Sequence, residues 1–177
     1  MHGLPDFSRK WSAVGKALPA HERLKEILNI VRRFDVFARY QHLYSDVLYA
    51  GLYSSKGASY QLLRAIERDE VHLVLSITLL FEYEDILRRN QTVLRLSDSE
   101  IERLLDDLCH RSEHQTIYFL WRPQLVDPKD DHILELAVAS RTSIVVTHNT
   151  KDFKRANPFG LQAVTPKKFL EVNPRVR

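Results

Sequence analysis

The stretch VHLVLSITLLFEYEDILRR, residues 71 to 89, decides the fold class of this 177-residue chain. Its first part is a short run rich in Val and Leu, which is typical of a buried β-strand. Ser76 follows, where a helix N-cap is expected. The second part then has apolar residues at helical spacing, namely Leu79, Leu80, Tyr83, Ile86 and Leu87. A strand followed directly by an amphipathic helix is the repeating unit of α/β proteins.

The same alternation continues on both sides of this stretch. Further short apolar runs predict strands at HLYSDVL (42–48), TIYFL (116–120), SIVVT (143–147) and LQAVT (161–165). Helices are predicted at ASYQLLRAIER (58–68), LSDSEIERLLDDLC (96–109), DHILELAVASR (131–141) and KKFLEV (167–172). In the second of these helices, Ser97 and Glu100 have the spacing of a capping box. Apolar strands joined by helices predict an αβα sandwich, with a mostly parallel sheet covered on both faces.

Residues 1 to 40 differ from the rest and predict an N-terminal helical extension. The segment LPAHERLKEILNIVRRF (18–34) has Leu24, Ile27, Leu28 and Val31 on one helical face. This helix either packs on the domain or docks a partner or a second copy of the chain. No repeat or Gly/Ser linker interrupts residues 41 to 177, so they are predicted to form one domain.

The composition narrows the class of protein. A single cysteine, Cys109, cannot form an intramolecular disulfide, and no apolar run near the N-terminus has the length of a signal peptide or a membrane span. We therefore expect a cytoplasmic protein without a membrane partner. The formal net charge of +3 favours a polyanionic partner such as RNA only weakly, because so small an excess is common among other proteins.

Acidic and amide side chains lie at the carboxyl ends of the predicted strands and at the helix starts that follow them. A parallel sheet brings these positions together at one edge. These side chains are Asp46; Glu82, Glu84 and Asp85; Asp127, Asp130 and Asp131; and Asn149 with Asp152. Carboxylates held close together raise one another's pKa unless a cation compensates, and oxygen ligands favour Mg²⁺ or Mn²⁺. Each cluster taken alone is better explained by solvated acids or by charges at helix N-termini. Helical spacing leaves open whether Glu82 or Glu84 faces the site.

Five stretches carry a resemblance to a known family: SSKGASYQLLRAI, LSITLLFEYEDILRR, DPKDDHILELAVAS, IVVTHNTKDF and VTPKKFL. From residue 43 to residue 171 the chain resembles PIN-domain ribonucleases, particularly the toxin components of toxin–antitoxin systems. The resemblance implies an αβα sandwich in which three or four acids hold Mg²⁺ or Mn²⁺ for hydrolysis of RNA phosphodiester bonds. It also implies RNA and a cognate antitoxin protein as partners.

Several site residues are implied by this resemblance. The second acidic position falls on Glu82, six residues after Ser76, and the third falls on Asp131, sixteen residues before Thr147. The last position lies within NTKD, at Asn149 or Asp152. Residues expected to position the ligands or to contact the RNA backbone are Thr147, Asn149, Arg88, Arg89, Lys151 and Lys154.

The first acidic position departs from the family pattern. Family members have Asp-Thr-Asn before a Val-Leu pair, whereas this chain has Tyr44, Ser45 and Asp46. A phenol is neutral at pH 7 and is a poor ligand for a hard dication. If the strand continues through this segment, Asp46 shares a face with Tyr44 and supplies the missing carboxylate. Alternatively, Asp46 caps the turn, and the site binds metal weakly or not at all.

The predicted function is therefore a metal-dependent endoribonuclease that is the toxin component of a toxin–antitoxin system. The predicted catalytic and metal-binding residues are Asp46, Glu82, Asp131 and Asp152. The candidate partners are RNA, an antitoxin and a second copy of the chain in a homodimer. The alternative is a catalytically degenerate PIN-like domain that binds RNA or a protein partner without cleavage.

Two other site chemistries have less support in the sequence. Phosphoryl transfer through a nucleophilic Asp46 would need a second acid two residues later or a Gly-rich phosphate loop, and neither is present. The histidines at 110, 114, 132 and 148 lack the spacing of zinc ligands. They are predicted to be surface or hydrogen-bonding residues.

Overall fold

The computed structural model of the chain describes residues 40–174 and residue 176. The predicted N-terminal helix lies outside the described residues. No helix in residues 40–174 is long and apolar enough to cross a membrane.

Five parallel strands form one sheet, which confirms the predicted fold class. The strands are β1 (Tyr40–Leu43), β2 (His72–Leu75), β3 (Ser112–His114), β4 (Ile144–Val146) and β5 (Gln162–Val164). Their order across the sheet is β3-β2-β1-β4-β5. In the central register, His42 lies opposite Val145 and Gln41 lies opposite Leu73. β1 is therefore the central strand, with neighbours that come from distant parts of the chain.

Helices connect the strands. They are α1 (Ser45–Tyr53), α2 (Ala58–Glu67), α3 (Ile77–Arg89), α4 (Gln91–Leu94), α5 (Asp98–Arg111), α6 (Asp131–Ser140) and α7 (Pro166–Val172). Two 3₁₀-helices span Pro128–Asp130 and Lys154–Phe159. The predicted cap of α3 is confirmed, since the Ser76 side chain accepts a hydrogen bond from the Leu79 amide. The capping box of α5 is also confirmed, with Ser97 and Glu100 bonded reciprocally.

The predicted strand at residues 42 to 48 is wrong beyond Leu43. The Tyr44 amide donates to the Val146 carbonyl, but the Tyr44 carbonyl already accepts from the Val47 amide, which begins α1. Asp46 thus lies in the first turn of a helix, where its charge interacts favourably with the helix dipole. Because α1 begins at Ser45, Asp46 does not share a strand face with Tyr44, as an extended strand would require.

The predicted strand TIYFL (116–120) is also wrong. β3 occupies Ser112–His114 instead, and the last bond to its neighbour is donated by the Gln115 amide to the Leu75 carbonyl. Because β2 ends at Leu75, the following residues have no strand to pair with. Apolar side chains that would suit a strand are therefore left in an irregular segment.

The core lies between the sheet and the helices on its two faces. Its largest fully buried side chains include Leu48, Leu73, Tyr83 and Phe153. The Tyr83 hydroxyl of α3 donates a hydrogen bond to the Leu43 carbonyl at the end of β1. This contact fixes α3 against the end of the central strand, and thereby fixes the residues that α3 presents beside that end.

Candidate functional site

The order of the strands predicts where a site forms. From β1 the chain proceeds to β2 and β3 on one side, and it later places β4 and β5 on the other. In open parallel sheets, ligands bind outside the carboxyl ends of strands at such a reversal. Tyr44 follows β1 and Thr147 follows β4, so the residues next to them line this edge of the sheet.

Tyr44 lies in the middle of the acidic residues at this edge. Its hydroxyl donates a 2.6 Å hydrogen bond to Asp130 Oδ1, and its ring packs edge-on against Phe153. Burial raises the pKa of Tyr44, and the hydrogen bond to Asp130 raises it further, as do the charges of Asp130, Glu82 and Asp46. The phenol is therefore firmly neutral and acts as a hydrogen-bond donor.

Asp46 connects the ends of β1 and β4. Its Oδ2 accepts hydrogen bonds of 2.9 Å from the Thr147 hydroxyl and 2.9 Å from the His148 amide. Its Oδ1 is buried and has no hydrogen-bond partner among the described residues. Burial raises the pKa of Asp46, although the bonds from Thr147 and His148 oppose this shift. The contacts of Asp46 thus tie two strand ends together.

Glu82 projects from α3 between Ser45 and His132. One carboxylate oxygen accepts a hydrogen bond from the Ser45 hydroxyl, and the other lies 2.8 Å from His132 Nε2. Burial alone would raise the pKa of Glu82, but the bonds from His132 and Ser45 outweigh it and the pKa is lowered. Burial lowers the pKa of His132, but Glu82 outweighs this and the net shift is upward. Glu82 and His132 lie within ion-pair distance, and each shifts the pKa of the other toward its charged form.

His132 is a site residue that the sequence prediction missed. Only its position beside the acids of DPKDD pointed to it, and its lack of zinc-ligand spacing argued the other way. The first turn of α6 buries the ring, and His132 Nδ1 contacts the Lys129 carbonyl at 2.7 Å. That second contact orients the ring so that Nε2 faces Glu82.

The two aspartates at the start of α6 have different environments. Asp131 is completely buried and accepts hydrogen bonds from the backbone amides of Gln124 and Leu125. Asp130 instead contacts the Tyr44 hydroxyl. Burial raises the pKa of Asp130; the bond from Tyr44 opposes this shift, and the charges of Asp127, Asp152 and Glu82 add to it. The structure therefore places Asp130, and not the predicted Asp131, beside Tyr44 and Glu82.

The other predicted site residues lie around this cluster. The side-chain amide of Asn149 donates a hydrogen bond to Asp152, and the charge of Asp152 raises the pKa of Asp130. Thr147 is completely buried, so its role is to hold Asp46. Lys151 is exposed. The two arginines of α3 form ion pairs within their helix, Arg88 with Glu84 and Arg89 with Asp85.

A comparison with protein families agrees with this geometry. A family model described as PIN domain matches residues 43–151, from the last residue of β1 through β4, including Tyr44, Asp46, Glu82, Asp130 and Asp131. The chain belongs to the PIN-domain family. No curated protein and no solved structure gives a significant match. PIN domains are generally metal-dependent nucleases, whose acidic residues hold a divalent cation.

The acidic residues of this PIN domain do not fit a bound Mg²⁺ or Mn²⁺. Among the described residues, no three His, Cys, Asp or Glu side chains are grouped so that they could hold one metal ion. Both oxygens of Glu82 contact Ser45 and His132, and the oxygens of Asp131 face backbone amides. At the position where the family has its first aspartate, Tyr44 contributes a donor instead of a ligand.

Proposed function

We propose that this PIN domain binds RNA at the carboxyl edge of its sheet without cleaving it by metal-dependent hydrolysis. The observation that carries the proposal is the hydrogen bond from Tyr44 to Asp130. It puts a neutral donor among the acids where a PIN nuclease has a carboxylate. This is the degenerate-domain alternative that the sequence already indicated.

Positive charge beside the acids supports binding of a polyanion. Lys129, Lys151, Lys154 and Arg155 are exposed, and none of them forms an ion pair with a described residue. Lys129 adjoins Asp130, and the other three lie on the segment that follows β4. Unpaired Lys and Arg side chains are the groups that bind nucleic-acid phosphates.

The acids themselves repel phosphate less than their number suggests. Glu82 is paired with His132, and Asp130 accepts a hydrogen bond from the Tyr44 hydroxyl. Asp46 and Asp131 direct oxygens toward donors within the fold. A phosphate near Lys151 therefore meets few carboxylate oxygens that lack a donor of their own.

Exposed aromatic residues favour single-stranded RNA over a duplex. Tyr118, Phe119 and Leu120 are 81%, 75% and 70% exposed. They lie between the end of β3 and the segment whose amides contact Asp131, on the carboxyl side of the sheet. Bases of single strands stack on aromatic rings, and each such contact contributes about 1 to 3 kcal/mol.

Binding of labelled single-stranded RNA to the full chain tests this proposal. Charge reversal at Lys151→Glu with Lys154→Glu is expected to weaken binding by about tenfold or more and to reduce its dependence on salt. The matched control, Arg68→Glu with Arg141→Glu, changes the net charge equally at the opposite edge of the sheet, before β2 and β4. The control is expected to bind like the wild type. Equal loss in both variants would refute a phosphate site beside the acids.

Incubation of the same RNA with Mn²⁺ tests the absence of hydrolysis. The wild-type chain is expected to leave the RNA intact. Cleavage that disappears in Glu82→Gln and in Asp130→Asn would overturn the proposal, because it would show that the acidic edge is catalytic. Cleavage that persists in both variants would be assigned to a contaminating nuclease.

A second candidate function is the predicted endoribonuclease toxin with a cognate antitoxin. Asp46 Oδ1 favours it, because this buried oxygen has no hydrogen-bond partner among the described residues. In this proposal Asp46, Glu82 and Asp152 serve the reaction together with Asp130, while Asp131 supports the fold. Induced expression in cells is then expected to arrest growth, and Asp46→Asn is expected to relieve the arrest. Equal growth of cells with and without induction would count against a toxin.

A further inference from the structure

We infer that Tyr44 and His132 take the place of a cation in this acidic site, so that the fold holds its clustered carboxylates together without metal. The inference concerns the same site as the proposed function but does not depend on RNA binding. It rests only on the part of that proposal that excludes metal-dependent hydrolysis.

Each acid of the cluster lies against a polar group of the protein. Glu82 has His132 and Ser45, and Asp130 has Tyr44. Asp46 accepts hydrogen bonds from the Thr147 hydroxyl and the His148 backbone amide, and Asp152 accepts one from the Asn149 side-chain amide. Clustered carboxylates require either a cation or such donors to remain charged. Here the protein supplies the donors.

The Tyr44 hydroxyl lies among these acids. The charges of Asp130, Glu82 and Asp46 all act on this one group, and its contact with Asp130 is a short 2.6 Å. Tyr44 stands at the first acidic position of the family pattern, so its hydroxyl meets Asp130 where the family has a carboxylate that shares a cation. The hydroxyl offers one proton there, and the ring is fixed by its edge-on contact with Phe153.

His132 has the corresponding place at Glu82. Its ring is buried, and Nε2 lies 2.8 Å from Glu82 Oε2, within ion-pair distance but without the alignment of a hydrogen bond. The Lys129 carbonyl contacts Nδ1 and holds the ring with Nε2 toward the acid. Tyr44 and His132 thus lie against two acids, Asp130 and Glu82, that would otherwise need a metal ion.

One substitution at Tyr44 should therefore make the folded protein bind a divalent metal ion and be stabilised by it. Tyr44→Asp removes the donor of Asp130 and adds a carboxylate next to it. Tyr44→Phe removes the same donor but adds no charge. The first variant therefore needs a cation, whereas the second loses only a hydrogen bond.

Thermal unfolding of the full chain in EDTA and in saturating Mn²⁺ tests this inference. The wild type and Tyr44→Phe are expected to unfold at the same temperature in both solutions, within about 1 °C. Mn²⁺ is expected to raise the midpoint of Tyr44→Asp by about 5 °C or more, since a ligand that binds only the folded chain stabilises it. The control Tyr53→Asp adds the same charge at an exposed position and is expected to show no response.

Two results would overturn the inference. One is a wild type that Mn²⁺ stabilises as strongly as Tyr44→Asp. The other is a Tyr44→Asp chain whose unfolding midpoint does not change with Mn²⁺, or that stays unfolded in Mn²⁺. A Tyr44→Asp chain that folds only with Mn²⁺ supports the inference. Failure to bind RNA, with these midpoints as expected, would refute the proposed function alone.

Discussion

The carboxyl edge of the sheet has two sets of acids that use their carboxylates differently. In the backbone-bonded set, Asp46 and Asp131 accept hydrogen bonds from backbone amides. In the side-chain-bonded set, Glu82 contacts His132 and Asp130 contacts Tyr44 through their side chains. Acids bonded to backbone hold chain segments in place, whereas acids bonded to side chains can change partners without unfolding the chain. The comparison predicts that substitutions in the two sets have different costs.

The largest effect is expected at Asp131. Asp131→Ala leaves the buried amides of Gln124 and Leu125 without an acceptor, so the free energy of unfolding should fall by about 4 kcal/mol. The matched control is the adjacent residue: Asp130→Ala should cost less than about 1 kcal/mol, because it also removes a carboxylate from a negative cluster. Urea denaturation measures both values. Equal losses would show that the backbone-bonded and the side-chain-bonded acids do not differ.

Acidification should destabilise the protein through another buried base, His42 of β1. Its ring is completely buried against Val74 and Ser140, and burial lowers the pKa of His42 to about 4. In the unfolded chain the pKa is near 6.5, so between these values only the unfolded chain gains a proton. The free energy of unfolding should therefore fall by about 3 kcal/mol as the pH drops from 6.5 to 4.

The variant His42→Gln isolates this contribution. Its free energy of unfolding should vary less between pH 7.5 and pH 4.5 than that of the wild type, because the group that titrates in the unfolded chain has been removed. Parallel pH profiles for the two proteins would contradict the assignment. His132 provides the contrast, because Glu82 stabilises its charged form in the folded chain.

A smaller effect is expected at Asp46. Asp46→Ala removes the acceptor for Thr147 and His148 and should cost about 2 kcal/mol. Asp46→Asn keeps an oxygen in a position to accept one of these bonds and should cost about 1 kcal/mol or less. Urea denaturation with both variants checks the order. If Asp46→Ala unfolds at the wild-type urea concentration, Asp46 does not tie β1 to β4.

The sequence predicted the fold well because local patterns and tertiary structure agree. The strand and helix of residues 71 to 89 are as predicted, and so is the capping box at Ser97. The two wrong strands share a cause, since an apolar run predicts a strand only when a neighbour offers hydrogen bonds. HLYSDVL does not continue as a strand because α1 begins at Ser45. TIYFL does not form one because the neighbouring strand β2 has already ended at Leu75.

The candidate site was less predictable than the fold. The family spacing predicted Glu82 as a site residue, but its contact with His132 could not be seen because the two residues lie fifty positions apart. Asp130 and Asp131 are adjacent, and only the path of residues 124 and 125 decides which one turns inward. The replacement of the first aspartate by Tyr44 was visible in the sequence, but its bond to Asp130 was not.

Titration of the wild-type chain with Mn²⁺ in a calorimeter tests the central claim most directly, because Tyr44 and His132 are inferred to take the place of a cation. No heat of binding beyond dilution is expected from the wild type, and binding of one Mn²⁺ per chain is expected from Tyr44→Asp. Stoichiometric binding by the wild type that is lost in Glu82→Gln would contradict the account.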